Sequence, residues 1–206
     1  MKKIIVLIFM GVLSFNANAA LVDNGGGLIY DSTQNVTWLQ DANYAQTSSY
    51  DADGKMDWST ASSWADGLSY GGHDDWRLPT TPNSDATCMF PSPPSWGWNC
   101  TGSEMGSLYY TTLGNAQFDD ISAINTGPFT NIQSEYLSGS AYPAAGDYWG
   151  FDFDGGMQSG TSFDGYAWAV ADGNITATAV PIPAAVWLFG SGLGLLGGVR
   201  RKRVII

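Results

Sequence analysis

Basic residues are nearly missing from the middle of this chain. Of eight Lys and Arg, six sit at the extreme ends (Lys2, Lys3, Arg200, Arg201, Lys202, Arg203), which leaves Lys55 and Arg77 against nineteen Asp and Glu. A surface this acidic repels phosphate backbones and other polyanions, so nucleic acid is excluded as a partner. The partners it admits are neutral sugars, cations and positively charged surfaces. Histidine is as scarce: His73 is the only one, in a Gly72-His73-Asp74-Asp75 run that reads as turn chemistry rather than as a general base. Cysteine is limited to Cys88 and Cys100, too far apart and too poor in neighbouring His for a metal or redox pair.

What is present begins with two terminal address segments. Residues 1–19 combine a basic start, an apolar run from Ile4 to Leu13 and the small-x-small triplet Ala17-Asn18-Ala19, the pattern of a secretory signal peptide. At the other end, Val180-Pro181-Ile182-Pro183 precedes an apolar, Gly-rich run at 184–199 and then Arg200-Arg201-Lys202-Arg203. The prolines end any preceding element, the run reads as a short transmembrane helix, and the basic cluster stays cytoplasmic by the positive-inside rule. Everything upstream is therefore expected outside the cytoplasm. There the two cysteines are expected to pair, closing a Pro- and Trp-rich loop and contributing roughly 3 kcal/mol in a chain-entropy picture.

Motif, span and basic end occur in the order of the PEP-CTERM sorting signal, and residues 180–203 resemble its Val-Pro-x-Pro variant. The resemblance implies an exosortase as partner for this tail. It also implies a membrane-anchored precursor and a mature protein that is surface-associated or secreted, in an organism that makes exopolysaccharide.

Residues 20–179 form the extracytoplasmic domain. Short strands are expected at Leu28–Tyr30 and Val36–Leu39 around an Asp31-to-Asn35 turn. Trp58, Ala61, Ala65 and Leu68 recur at helical spacing, which predicts a helix at 58–69 with Asp57 as its N-cap. A second short helix is expected over Met105–Leu113, closed by Gly114-Asn115. Alternation of Trp149, Phe151 and Phe153, and again of Tyr166, Trp168 and Val170, predicts paired strands joined by a Gly/Ser-rich loop. Helices early and strands late give an α+β domain.

Several blocks in this stretch are similar to the Lcl carboxy-terminal domain family. They are Gly27-Leu28-Ile29-Tyr30-Asp31, Val36-Thr37-Trp38-Leu39-Gln40-Asp41, Trp58-Ser59-x-Ala61, Asp75-Trp76-Arg77-Leu78-Pro79-Thr80, Glu104 to Asn115, and Tyr166 to Gly173. The resemblance implies a C-type-lectin-like fold on an exported protein. The best-known member attaches to sulfated glycosaminoglycans; this chain lacks the clustered Arg and Lys such a ligand requires. The calcium-lectin triplets Glu-Pro-Asn and Gln-Pro-Asp are absent as well.

Four features carry candidate chemistry. Arg77 stands almost alone among carboxylates and is expected to pair with one of them and fix a loop. Asp51, Asp53 and Asp57, spaced around Gly54, suit either a bound calcium or a solvated loop in which Asp57 caps the helix. Asp147, Asp152, Asp154 and Asp164 form a less specific acidic group, with Asp152 and Asp154 on one strand face. Trp96 and Trp98 alternate and share a side if extended, which suits either stacking on carbohydrate or packing. The domain is read as non-catalytic: a lectin-like module for exopolysaccharide, or a structural or protein-binding module with a cation-holding acidic face; a glycosidase-type enzyme using two of the nineteen carboxylates is the least favoured alternative.

Overall fold

The computed structural model describes residues 21–144 and 146–178. The expected signal peptide, sorting motif (Val180, Pro181, Pro183, Arg200, Arg201) and span at 184–199 lie outside the described residues. Among the described residues, no helix is long and apolar enough to cross a membrane.

Two sheets and a few short helices build a mixed α+β domain. The first sheet runs β1 (Leu21–Asp23), β2 (Leu28–Asp31), β3 (Val36–Leu39) and β9 (Val170–Asp172), all antiparallel, so segments from opposite ends of the domain share one sheet. The β2–β3 hairpin forms where expected. Its turn is held by the Asp31 carboxylate, which accepts from the Thr33 amide and Gln34, while Asn35 takes the left-handed backbone conformation that Asn tolerates.

The second sheet has the order β4 (Lys55–Met56), β8 (Gly165–Tyr166), β5 (Glu135–Ala141), β6 (Tyr148–Asp152), β7 (Met157–Thr161). Its pairings are antiparallel except β5 with β8. The expected pairing of 149–153 with 166–170 does not occur. Strand β6 pairs instead with β7, formed by the Gly/Ser-rich segment expected to be a loop, and the second aromatic run splits between β8 in one sheet and β9 in the other. A Gly155-Gly156 turn is tight enough to fold β7 straight back on β6, and this local hairpin outcompetes the more distant pairing.

Helix α1 spans Tyr44–Thr47 and α2 spans Trp58–Asp66, shorter than the expected 58–69 because Gly67 ends it. Asp57 caps α2 as predicted, accepting from the Thr60 amide at 2.9 Å. The second expected helix is split: α3 (Glu104–Gly106), capped by Ser103, runs directly into a π-helical turn at Ser107–Thr112.

The sheets meet in an aromatic core centred on Trp168, which is fully buried. Its ring lies 5.0 Å from Trp38 of the first sheet, 5.3 Å from Tyr136 of the second, 4.9 Å from Phe129 and 5.7 Å from Phe153. Its Nε1 donates to the Leu39 carbonyl at 2.8 Å. Replacing Trp168 by Ala is expected to cost about 3–5 kcal/mol, read as a fall in the urea midpoint, because both a large apolar contact and a buried hydrogen bond disappear.

Candidate functional site

Three of the four candidate features are bound up in structure. Arg77 forms a bidentate pair with Glu104 at 2.8 and 2.7 Å, and also pairs with Asp172. Glu104 in turn accepts from the Thr80 amide, so one guanidinium joins β9, α3 and the Leu78-Pro79-Thr80 segment. These contacts drive the Arg77 pKa further up, with the Glu104 hydrogen bonds the main cause.

The Asp51 carboxylate accepts from the amides of Asp53 and Gly54, and Asp53 accepts from the Lys55 amide. Asp57 accepts from Ser59 and Thr60, whose hydrogen bonds hold its carboxyl down at about 2. The three carboxylates do not converge. Among the described residues, the only three metal-type ligand atoms within 4.8 Å of one another belong to Asp85, Cys88 and Cys100. Those cysteines form the expected disulfide, and Asp85 is spent on the amides of Thr87 and Gly102.

Trp96 and Trp98 do not form a common platform. Trp96 stacks on Phe90 at 4.3 Å, and Trp98 packs on Phe118 at 4.8 Å. The expected alternation assumed an extended chain, but Gly97 between them has φ +103°, while its backbone pairs with Gln158 on the edge of β7. The disulfide loop leaves Met89, Phe90 and Trp96 exposed by 45, 42 and 41%.

The absence of a Gly-x-Ser-x-Gly pattern, one ground for expecting no hydrolase triad, does not hold: Gly67-Leu68-Ser69-Tyr70-Gly71 has that spacing. The run follows the C-terminus of α2 instead of joining a strand to a helix, which an elbow requires. His73, in the adjoining turn, lies with Nε2 3.0 Å from the Thr176 carbonyl oxygen.

A concave feature lies on the outer face of the second sheet. Residues opposite one another in a sheet share a face, and the register sets out three rows: Glu135, Asp152 and Met157; Leu137, Gly150 and Ser159; Tyr148 and Thr161. Gly150 has no side chain in the middle row, and a Cβ there would come within 3.0 Å of Thr161 Cγ2. The result is a groove of about 180 Å³, walled by Glu135, Asp152, Asp164 and Phe163. Phe163 is 78% exposed. Past Phe163 and Asp164 the surface continues into a second depression, lined by Asp57, Ser59, Ser162 and the pair Trp58–Tyr148, whose rings stack at 4.2 Å and 6°. Trp58 is fixed by donating from Nε1 to the Ser138 carbonyl.

Of the acidic group, Asp152 and Asp164 line this groove, while Asp154 turns away to accept from the Ile121 amide. Strand β6 ends at Asp152, so Asp154 does not share its strand face as expected. Burial pushes the Asp152 carboxyl from 3.8 up to about 6, and the charges of Asp154 and Glu135 push the same way; the Asp154 amide, donating at 2.7 Å, opposes them. Neither internal base reaches the groove walls: Arg77 is spent on Glu104 and Asp172, and Lys55 lies over the Tyr166 ring.

Comparison with protein-family models, curated proteins and solved structures returned no match. The class that fold and site define is a small α+β domain with an acidic, aromatic-walled groove on one sheet face.

Because the folded-state pKa of Asp152 lies above the ordinary value, the native protein holds more protons than the unfolded chain between about pH 4 and 6. Stability is therefore expected to fall as pH rises through that window. Asp152→Asn should remove the slope and stabilise the protein at pH 7 by on the order of 1 kcal/mol after solvent screening, measured by urea denaturation at pH 5 and pH 7.

Proposed function

We propose that this chain is an exported, non-catalytic, lectin-like protein that binds or organises exopolysaccharide at the cell surface. The observation that carries the reading is the groove over Gly150, where an exposed phenyl ring, carboxylates, Ser159 and Thr161 line a space suited to a single pyranose ring. Sugars are held by this combination: an aromatic face meets their C–H surface, and carboxylates and hydroxyls accept and donate around the rim. The stacked Trp58–Tyr148 pair extends the surface toward a neighbouring sugar unit.

The C-type-lectin-like fold belongs to the same proposal, supported by two features. Strands from both ends of the domain lie in one sheet, and the Arg77-Leu78-Pro79-Thr80 block sits at the join between this sheet and α3. The address segments supply the location: export by residues 1–19, and a membrane-anchored precursor sorted by an exosortase through residues 180–203. A second reading, a protein-binding surface module, is favoured by the exposed Met89, Phe90 and Trp96 on the disulfide loop.

Calorimetric titration of the purified protein with the producing organism's exopolysaccharide, with and without calcium, tests the proposal. Binding is expected in both conditions, reduced up to about tenfold by Phe163→Ala, given stacking of roughly 0.5–1.5 kcal/mol. Trp96→Ala with Trp98→Ala should leave it intact. Loss of binding in the tryptophan variant alone would move the site to the disulfide loop, and no binding by a folded sample would remove the lectin reading.

A further inference from the structure

We propose that the groove selects amine-bearing sugars, such as de-N-acetylated hexosamine units, over neutral ones. The inference rests on the carbohydrate reading above and names the ligand class within it.

Glu135 and Asp152 stand directly opposite each other across β5 and β6, on the face that carries the groove, and Asp164 stands on its wall beside Phe163. No Lys or Arg lines this space, and both described bases are engaged elsewhere. Glu135 forms no ion pair with either: Arg77 pairs with Glu104 and Asp172, and Lys55 lies over the Tyr166 ring. Asp152 is half-buried beside two further carboxylates, an arrangement that a cation brought into the groove relieves.

The geometry distinguishes between kinds of cation. A metal ion needs ligand atoms drawn tightly together, whereas the groove carboxylates do not form such a set among the described residues. Carboxylates spaced along a groove suit an ammonium that donates up to three hydrogen bonds to separate acceptors. Phe163 adds what a simple polycation does not use, an exposed ring against which the apolar face of a pyranose lies. A sugar bearing a free amine satisfies both features at once; an N-acetylated sugar of the same shape satisfies only the second.

The test is calorimetric titration of the purified protein at pH 7 with a glucosamine hexamer, the fully N-acetylated hexamer and an oligolysine of matching charge. The glucosamine hexamer should bind at least about tenfold more tightly than its acetylated counterpart, as expected from one charge-assisted hydrogen bond. Glu135→Gln with Asp152→Asn should bring that ratio down toward one. Because the ratio compares two ligands in the same sample, partial loss of folded protein cancels from it. Equal binding of both hexamers by the native protein would overturn the selectivity and leave the glycan reading standing. Binding of neither hexamer would also overturn it, the glycan reading itself then being decided by the exopolysaccharide titration. Oligolysine binding as tightly as the glucosamine hexamer would also overturn the proposal, since it would show a general polycation surface with no use for the pyranose.

Discussion

The structure depends on one buried indole. Trp168 touches Trp38 of the first sheet and Tyr136 of the second, and bonds the Leu39 carbonyl, so the relative placement of the two sheets runs through it. It lies between β8 and β9, where the chain leaves one sheet for the other. A residue at such a crossing has to satisfy two packing surfaces together, and a large ring with a single donor does so with few conformations to lose. The Arg77 cluster acts at the outer edge of the same join, where the Arg77 backbone pairs with Val170 and its side chain reaches Glu104.

With the sheets fixed, the groove follows from side-chain size. The inner face of the second sheet carries Tyr136, Phe151 and Gln158 in one buried row, and the outer face carries Leu137, Gly150 and Ser159. The inner row carries two rings, whereas the middle of the outer row has no side chain at Gly150 and only a small one at Ser159. The depletion of bases gives the concavity its sign: every carboxylate of the chain lies in the described domain, and its two bases are held at Glu104, Asp172 and Tyr166. In the proposed reading, carbohydrate affinity and preference for an amine have separate origins, the first in aromatic shape and the second in uncompensated charge.

Features set by neighbours in sequence were legible. The turn after Asp31, the Asp57 cap and the disulfide depend on residues a few positions apart or on there being only two cysteines. Long-range register was not. Strand β5 escaped notice because its Leu137-Ser138-Gly139-Ser140 run looks like a loop; Ser138 is buried only because its hydroxyl finds the Pro79 carbonyl. The groove was hidden for the same reason, since Glu135 and Asp152 meet only through the β5–β6 pairing. A partial signal lay in the alternation of Tyr148, Gly150 and Asp152 opposite buried aromatics. The Trp96–Trp98 platform fails locally: alternation counts side chains but cannot see that Gly97 leaves the extended region. Of the two readings of the Asp51–Asp57 spacing, the structure forms the loop with Asp57 as helix cap, because carboxylates so close in sequence bond neighbouring amides.

The central claim is that the outer face of the second sheet is the glycan surface. Hydrogen exchange of the protein with and without saturating exopolysaccharide tests it most directly. Slowed exchange confined to residues 135–137, 148–152 and 157–165 is the predicted result. Slowing confined to the disulfide loop at 88–100, or none at all in a sample that binds, would contradict it.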